Sequence, residues 1–232
     1  MENLFSIPPG EILLWFVVFL FSLSFHESAH AWTSYKFGDD TGRLQGRITM
    51  NPIAHIDPIG TILLPLMGFL SGGIAMFGWA KPVQTNPLLW REKTKANICV
   101  SGAGPISNFI LVIISFITIK VLLIAGLLQR GYKAPFTFVT PVSTDSTLLY
   151  PVATILCIFL ILNLTLGLFN LIPIPPLDGS HILESILPPQ IAEAYAQIRP
   201  FGFLILIALM WTTPIFSWIF LPIFQLVLSL LY

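Results

Sequence analysis

Charge is what this chain has least of. Its 232 residues include 11 Lys or Arg and 11 Asp or Glu, only 9% in all and with no net charge, against 55% hydrophobic residues. Its mean hydropathy is +0.85. An ordinary soluble domain carries about 25% charged residues. The shortfall excludes a soluble globular enzyme and a disordered chain, and the lack of a basic surplus excludes a nucleic-acid partner. Long polar tracts are also missing. The longest, 81–95, 129–147 and 178–199, are each too short for a separate soluble domain of ~50 residues or more. Cysteine is scarce: Cys99 and Cys157 both sit at or within apolar runs. Two such residues make no disulfide framework and are expected to be buried small hydrophobes. The opening Met-Glu-Asn-Leu-Phe has no basic n-region and no small-residue cleavage site, so no removable signal peptide is expected.

What is present is apolar run after apolar run. At about 20 residues per span, the chain holds four to six membrane crossings and little else, and the expected class is an all-α polytopic membrane protein forming one domain over 1–232. The first span is expected over about 11–35, the second over 97–128 and the third over 148–172. A short amphipathic piece follows at 181–199. The final apolar run, 201–231, is interrupted by Pro214 and Pro222 and reads as either a kinked helix or two short ones.

Seven of the 11 basic residues lie between 36 and 95 (Lys36, Arg43, Arg47, Lys81, Arg91, Lys93 and Lys95) and flank the stretch 48–80 on both sides. The positive-inside rule places both flanks in the cytoplasm, so 48–80 is expected to enter the membrane and return. Its three prolines, Pro52, Pro58 and Pro65, and its glycines suit a broken re-entrant element, which is tolerated only where protein or water covers it; an ordinary span at 59–78 is the competing account. Lys120 is expected to snorkel to the outer surface. The six Trp and five Tyr read as interface anchors or core.

An ionisable group inside a bilayer is a functional-site hypothesis by default, and here those groups fall into a pattern. His26-Glu27-Ser28-Ala29-His30 is an H-E-x-x-H motif. On a helix its histidines share a face and can hold one metal ion, with Glu27 beside them to take a proton from water. Two helix-packed histidines beside a glutamate, without a metal, would cost about 2–3 kcal/mol for the carboxylate alone. A catalytic zinc takes three protein ligands. Asp39, Asp40, Glu92 and Asp145 sit in polar loops, Glu2 and Glu11 precede the first span, and Glu184 and Glu193 lie on the amphipathic piece. That leaves Asp57 and Asp178. If 97–128 crosses outward and 148–172 returns, Asp178 arrives in the same half of the membrane as His26 and His30. The competing account of Asp178 is an Asp-Gly turn or helix cap at a membrane exit.

Three motifs together resemble the site-2 proteases, intramembrane zinc metalloproteases. They are His26-Glu-Ser-Ala-His30, Asn170-Leu-Ile-Pro-Ile-Pro-Pro-Leu-Asp178-Gly, and Gly104-Pro105-Ile-Ser-Asn108 between them. The resemblance covers about 11–180. It implies His26, His30 and Asp178 as ligands of one Zn2+, Glu27 as catalytic base and Asn170 as a donor that positions the substrate carbonyl. It also implies a re-entrant β-like loop at 48–80, and substrates that are single-pass or multi-pass membrane proteins. The setting expected is the plasma or inner membrane, with the site towards the cytoplasm. The chain has room for neither the PDZ nor the CBS domain of many family members, which makes it a compact subtype.

His55 and Asp57, inside the re-entrant stretch, are candidates either for orienting a ligand or lining the cleft, or for satisfying broken backbone. Asn108 is a candidate for interhelical hydrogen bonding or for an active-site contact, and His181 reads as an interfacial residue. Three other functions compete: a polytopic transporter using the same cluster for a carried metal ion, a prenyl-protein type of membrane protease with Glu184 or Glu193 as third ligand, and an inactive scaffold, against which the intact Glu27 speaks.

Overall fold

A computed structural model describes residues 8–70, 78–134, 136–143 and 148–232. Apolar runs in a bilayer must satisfy their own backbone, so they become helices. Helix α1 spans Pro9–Lys36, with proline in its first turn, where the missing N–H costs nothing. It stops at Phe37, followed by Gly38 at φ 106°, a conformation that favours glycine. A short helix α2 (Thr41–Leu44) follows. Then come a 3-10 turn (Pro52–His55), a π-helical turn (Pro58–Leu63) and α3 (Leu64–Leu70). Helix α4 is Lys93–Ile124, α5 is Leu149–Asn170, α6 is Asp178–Ile186 and α7 is Pro189–Ala196. The last two are α8 (Gly202–Thr212) and α9 (Ile215–Leu231). Pro214 divides α8 from α9, so the final apolar run is two short helices. Among the described residues, four stretches are long and apolar enough to cross a membrane: 9–36, 93–124, 149–170, and 189–210, which runs through α7 and α8.

The centre of the molecule is α1, α4 and α5, packed on one another. Each is apolar nearly all round, so it is the small and polar residues that mark the inner faces. Ser22, Ser24 and Ser28 of α1 are buried, as are Ser101, Ser107, Asn108 and Ser115 of α4 and Thr154 and Asn163 of α5. Leu13, Val17, Ile106, Ile110, Ile113 and Ile117 are exposed. This is the membrane pattern: small residues let backbones approach, and large ones face lipid. Where the helices diverge, ordinary apolar clusters fill the space. Trp15, Val18, Phe19 and Ile158 form one. Ile119, Leu128, Val139, Cys157 and Leu231 form another.

That second cluster sits under a β-hairpin, antiparallel strands β1 (Leu128–Ala134) and β2 (Thr137–Pro141), in a segment the sequence presents only as a polar loop. The hairpin caps the end of the bundle where α4 finishes and α5 begins. The chain's last residues reach the same end: Lys120 Nζ donates to the carbonyls of Leu230 and Leu231, and Tyr232 Oη donates to Phe138 O. Glu11 does not precede the first span but lies inside α1, buried, and accepts a 2.6 Å bond from Tyr150 Oη. Cys157 is buried, whereas Cys99, near the start of α4, is exposed, contrary to the expectation of two buried thiols.

The stretch 48–80 is helical on its first limb, and no strand is assigned to its described residues. Prolines and Asp57 account for this. Pro52 and Pro58 open the two tight turns, and the Asp57 carboxylate accepts from the amides of Ile59 and Gly60, as a helix cap does. The apex, 71–77, lies outside the described residues. The returning limb from Gly78 runs beside the first: Trp79 N donates to Gly60 O, and Lys81 N to His55 O. Further along, buried Asp39 holds it to α1. The Asp39 carboxylate accepts from Ser34 Oγ, Thr41 N and Oγ1 and Asn86 N.

Candidate metal centre and cleft

His26 and His30 lie one turn apart on α1. His26 is about 10 residues, hence about 15 Å, from the end of that helix, close to half the hydrocarbon thickness of about 30 Å. The third group arrives from elsewhere. After α5 the chain turns through Pro173–Pro176 and starts α6 at Asp178. Gly179 makes the turn possible: a Cβ there would collide with the Leu171 backbone. Asp178 Oδ2 lies 3.2 Å from His26 Nε2 and 3.4 Å from His30 Nε2, and the two Nε2 atoms are 3.0 Å apart.

Each histidine is held by its other nitrogen. His30 Nδ1 donates to the Val100 carbonyl at 2.7 Å, and His26 Nδ1 donates to Asn108 Oδ1 at 2.7 Å. With the ring proton on Nδ1, each Nε2 presents a lone pair. The third atom is Asp178 Oδ2, buried and without a hydrogen-bond partner. Three acceptors thus converge on one point with no donor among them, which repel unless a cation lies between them. The ligand atoms fall within 4.8 Å of one another, and two imidazoles with one carboxylate are a donor set suited to zinc. Gly104 of α4 forms the floor. A Cβ there would come within 2.5 Å of the His26 ring and closer still to His30 Nε2, so only glycine lets α4 pass beneath the pair.

Glu27 stands beside the cluster, and its Oε2 accepts a 2.9 Å bond from Val83 N on the returning limb. Both groups line a cavity of about 1580 Å3, whose wall includes Trp79, Asn170, Phe203 and Met210. Its apolar side comes from α8 and the returning limb. Asn170 spends one amide hydrogen on Leu166 O at 2.9 Å; its Nδ2 carries a second. His55 and Asp57 stand apart from the cluster. His55 is buried with Nε2 against Thr49 O, and Asp57 caps the π-helical turn. His181 lines the cavity; burial, then the charge of Arg199, lowers its pKa. Glu184 pairs with Arg199, and Glu193 is exposed. Asn163, Ser22, the Val83 amide and the Val100 carbonyl were not singled out in sequence. Of these only Asn163, an amide midway along an apolar run, carries a readable signal.

Fold and site together define a helical membrane protein with two histidines and a carboxylate gathered between its helices. The chain belongs to peptidase family M50, whose model matches residues 14–211, and it is a multi-pass membrane protein. It is 37% identical over 206 residues to "Putative zinc metalloprotease YwhC" of Bacillus subtilis, covering 89% of this chain and 83% of that protein. It is 32% identical over 213 residues to "Putative zinc metalloprotease Rip2" of Mycolicibacterium smegmatis, covering 91% and 71%, and 28% identical to the protein of that name from Mycobacterium tuberculosis. No solved structure matches the chain.

Proposed function

We propose that the protein is a zinc metalloendopeptidase that hydrolyses peptide bonds of membrane proteins within or near the bilayer, from a cleft open to the cytoplasm. The observation that carries this reading is the meeting of His26, His30, Asp178 and Glu27 at one wall of a large, mostly apolar cavity inside a helical bundle. His26, His30 and Asp178 hold the zinc, which when bound supplies electrophilic activation of the scissile carbonyl and of water. Glu27 takes the proton of the attacking water and delivers it to the leaving amine as the C–N bond breaks. Its hydrogen bond to Val83 N fixes one carboxylate oxygen and leaves the other for that proton. Asn170, with a free amide hydrogen at the cavity wall, donates to the substrate carbonyl.

A helical substrate must unwind first, because its amides are otherwise paired and shielded. The returning limb forms no helix over 80–86 and lines the cavity with Ala80, Pro82, Val83 and Thr85, which suits it to pair with an unwound strand by strand addition. Cleavage that is unchanged by prolines or charges introduced over 48–53 and 80–84 overturns that part of the reading. Lys36, Arg43, Arg47, Lys81, Arg91, Lys93 and Lys95, all at the site end of the bundle, support the cytoplasmic side.

The test is zinc content and cleavage of a single-pass substrate in proteoliposomes. Glu27→Gln is expected to keep zinc and to lose cleavage by about 100-fold or more; Asp178→Asn loses both. Metal-dependent ion flux that survives Glu27→Gln, with no cleavage by the wild type, replaces the protease with a transporter.

A further inference from the structure

A line of side-chain amides runs from the metal centre into the middle of the bundle. His26 Nδ1 meets Asn108 Oδ1 at 2.7 Å, and Asn108 Nδ2 donates to Asn163 Oδ1 at 2.8 Å. Asn163 Nδ2 donates twice, to Ser22 Oγ and to Phe159 O, both at 2.9 Å. The line crosses all three central helices, and Asn108, Asn163 and Ser22 are each 0% exposed.

The direction of this chain is dictated at its far end. Phe159 O is a backbone carbonyl and can only accept. It therefore claims the NH2 of Asn163 and turns Oδ1 towards α4. Oδ1 in turn can only accept, so Asn108 must present its NH2 to it and its own Oδ1 to His26. An acceptor facing His26 Nδ1 requires the ring proton there and leaves Nε2 as a lone pair. A neutral imidazole is otherwise free to put its proton on either nitrogen. The opposite polarity would set two carbonyl oxygens, or two donors, face to face in a site that is fully buried.

We infer that Asn163, anchored on Phe159 O and Ser22, is a positioning residue for the metal centre. Acting through Asn108, it fixes the proton of His26 on Nδ1 and so keeps Nε2 ready to bind zinc. This rests on the zinc reading of the site. Removing outer hydrogen-bond partners of metal-bound histidines costs about 10–100-fold in metal affinity. The rank order expected here is Asn108→Leu, then Asn163→Leu, then Ser22→Ala, which leaves the Phe159 anchor in place.

The experiment measures zinc affinity by chelator competition, the cobalt(II) absorption spectrum, and the 15N shifts of His26 in zinc-free protein. Asn163→Leu is expected to weaken zinc about 10–100-fold, to alter the cobalt spectrum and to mix the His26 tautomers. The Asn108→Leu, Asn163→Leu double variant is expected to bind no worse than Asn108→Leu alone, since both act along one line. Ile158→Ala, a buried change on the same helix outside the line, keeps wild-type affinity. If Asn163→Leu does not fold, Asn163→Ser and Ser22→Ala carry the same comparison. Unchanged affinity and spectrum in the Asn163 variants overturns the inference, as does an equal loss in Ile158→Ala. A wild-type protein that binds no zinc overturns the zinc reading instead.

Discussion

A glycine decides whether the two histidines can share an ion. Gly104 passes so close beneath the His26 and His30 rings that a methyl group has no place to go. Gly104→Ala is expected to push the rings apart, to cost about 1–3 kcal/mol of stability as overpacking does, and to lower zinc content, read by metal analysis of the purified protein. At this scale the sequence was highly informative about first ligands. His26, Glu27 and His30 announce themselves by helical spacing, and Asp178 by being one of the few carboxylates left near an apolar run. What holds those ligands was not legible. The Val100 carbonyl and the Val83 amide are backbone groups, which any residue carries, and Gly104 stands in the sequence only as the first residue of the Gly104-Pro105-Ile-Ser-Asn108 motif. His55 and Asp57, candidates by composition, spend their visible hydrogen bonds on the local backbone, the role their proline-broken surroundings require.

Among the elements, the returning limb 78–90 carries the most consequence for its size. It reaches Glu27 through one amide, so Val83→Pro removes that donor. The expected result is a fall in kcat of roughly 10-fold, the order of one hydrogen bond to a charged group, with KM little changed, measured by steady-state cleavage in proteoliposomes. Another of the limb's ties, at Asp39, is titratable. Burial raises the pKa of Asp39, but the bonds from Thr41, Asn86 and Ser34 outweigh it and leave the carboxyl below its usual range. A carboxyl lowered in the folded state stabilises it above the ordinary pKa, and the contribution is lost as pH falls through the lowered value. Hydrogen exchange at the Asn86 amide is therefore expected to accelerate in acid, and Asp39→Asn to remove most of that pH dependence. Helix boundaries were readable because length and hydropathy set them; Pro214 splits the last run, whereas Pro222 is accommodated inside α9. The hairpin at 128–141 was not, because its short strands lack an alternating pattern and owe their pairing to the bundle end they cover.

For the whole molecule, the distribution of a few charges is what the proposed orientation rests on. The site end carries Lys36, Arg43, Arg47, Lys81, Arg91, Lys93 and Lys95, and the hairpin end carries the last turn of α9 with Lys120 and Arg130. In a Cys99→Ser background, with Cys157 buried, Lys81→Cys and Gln129→Cys are expected to react with an impermeant maleimide from opposite faces of a sealed vesicle. Labelling of both from one face contradicts the topology. The charge shortage visible in the sequence thus gives the class and the address of the site, and it is the ground for the proposed orientation. It says nothing of how three nearly uniform apolar helices find their register, because that information lies in small buried serines, glycines and asparagines that composition hardly registers.

The outward placement of Leu13, Val17, Ile106, Ile110, Ile113 and Ile117 has a calorimetric consequence. In a soluble protein, unfolding brings apolar surface into water and raises the heat capacity. Here the large apolar side chains already face their solvent, and separating α1, α4 and α5 within the bilayer exchanges protein contacts for lipid ones. Thermal unfolding in a membrane should then show a heat-capacity change far below that of a soluble chain of equal length, with a correspondingly flat stability curve. What is lost on heating is the set of close backbone approaches and amide bonds at the centre, and with them the seat of the metal.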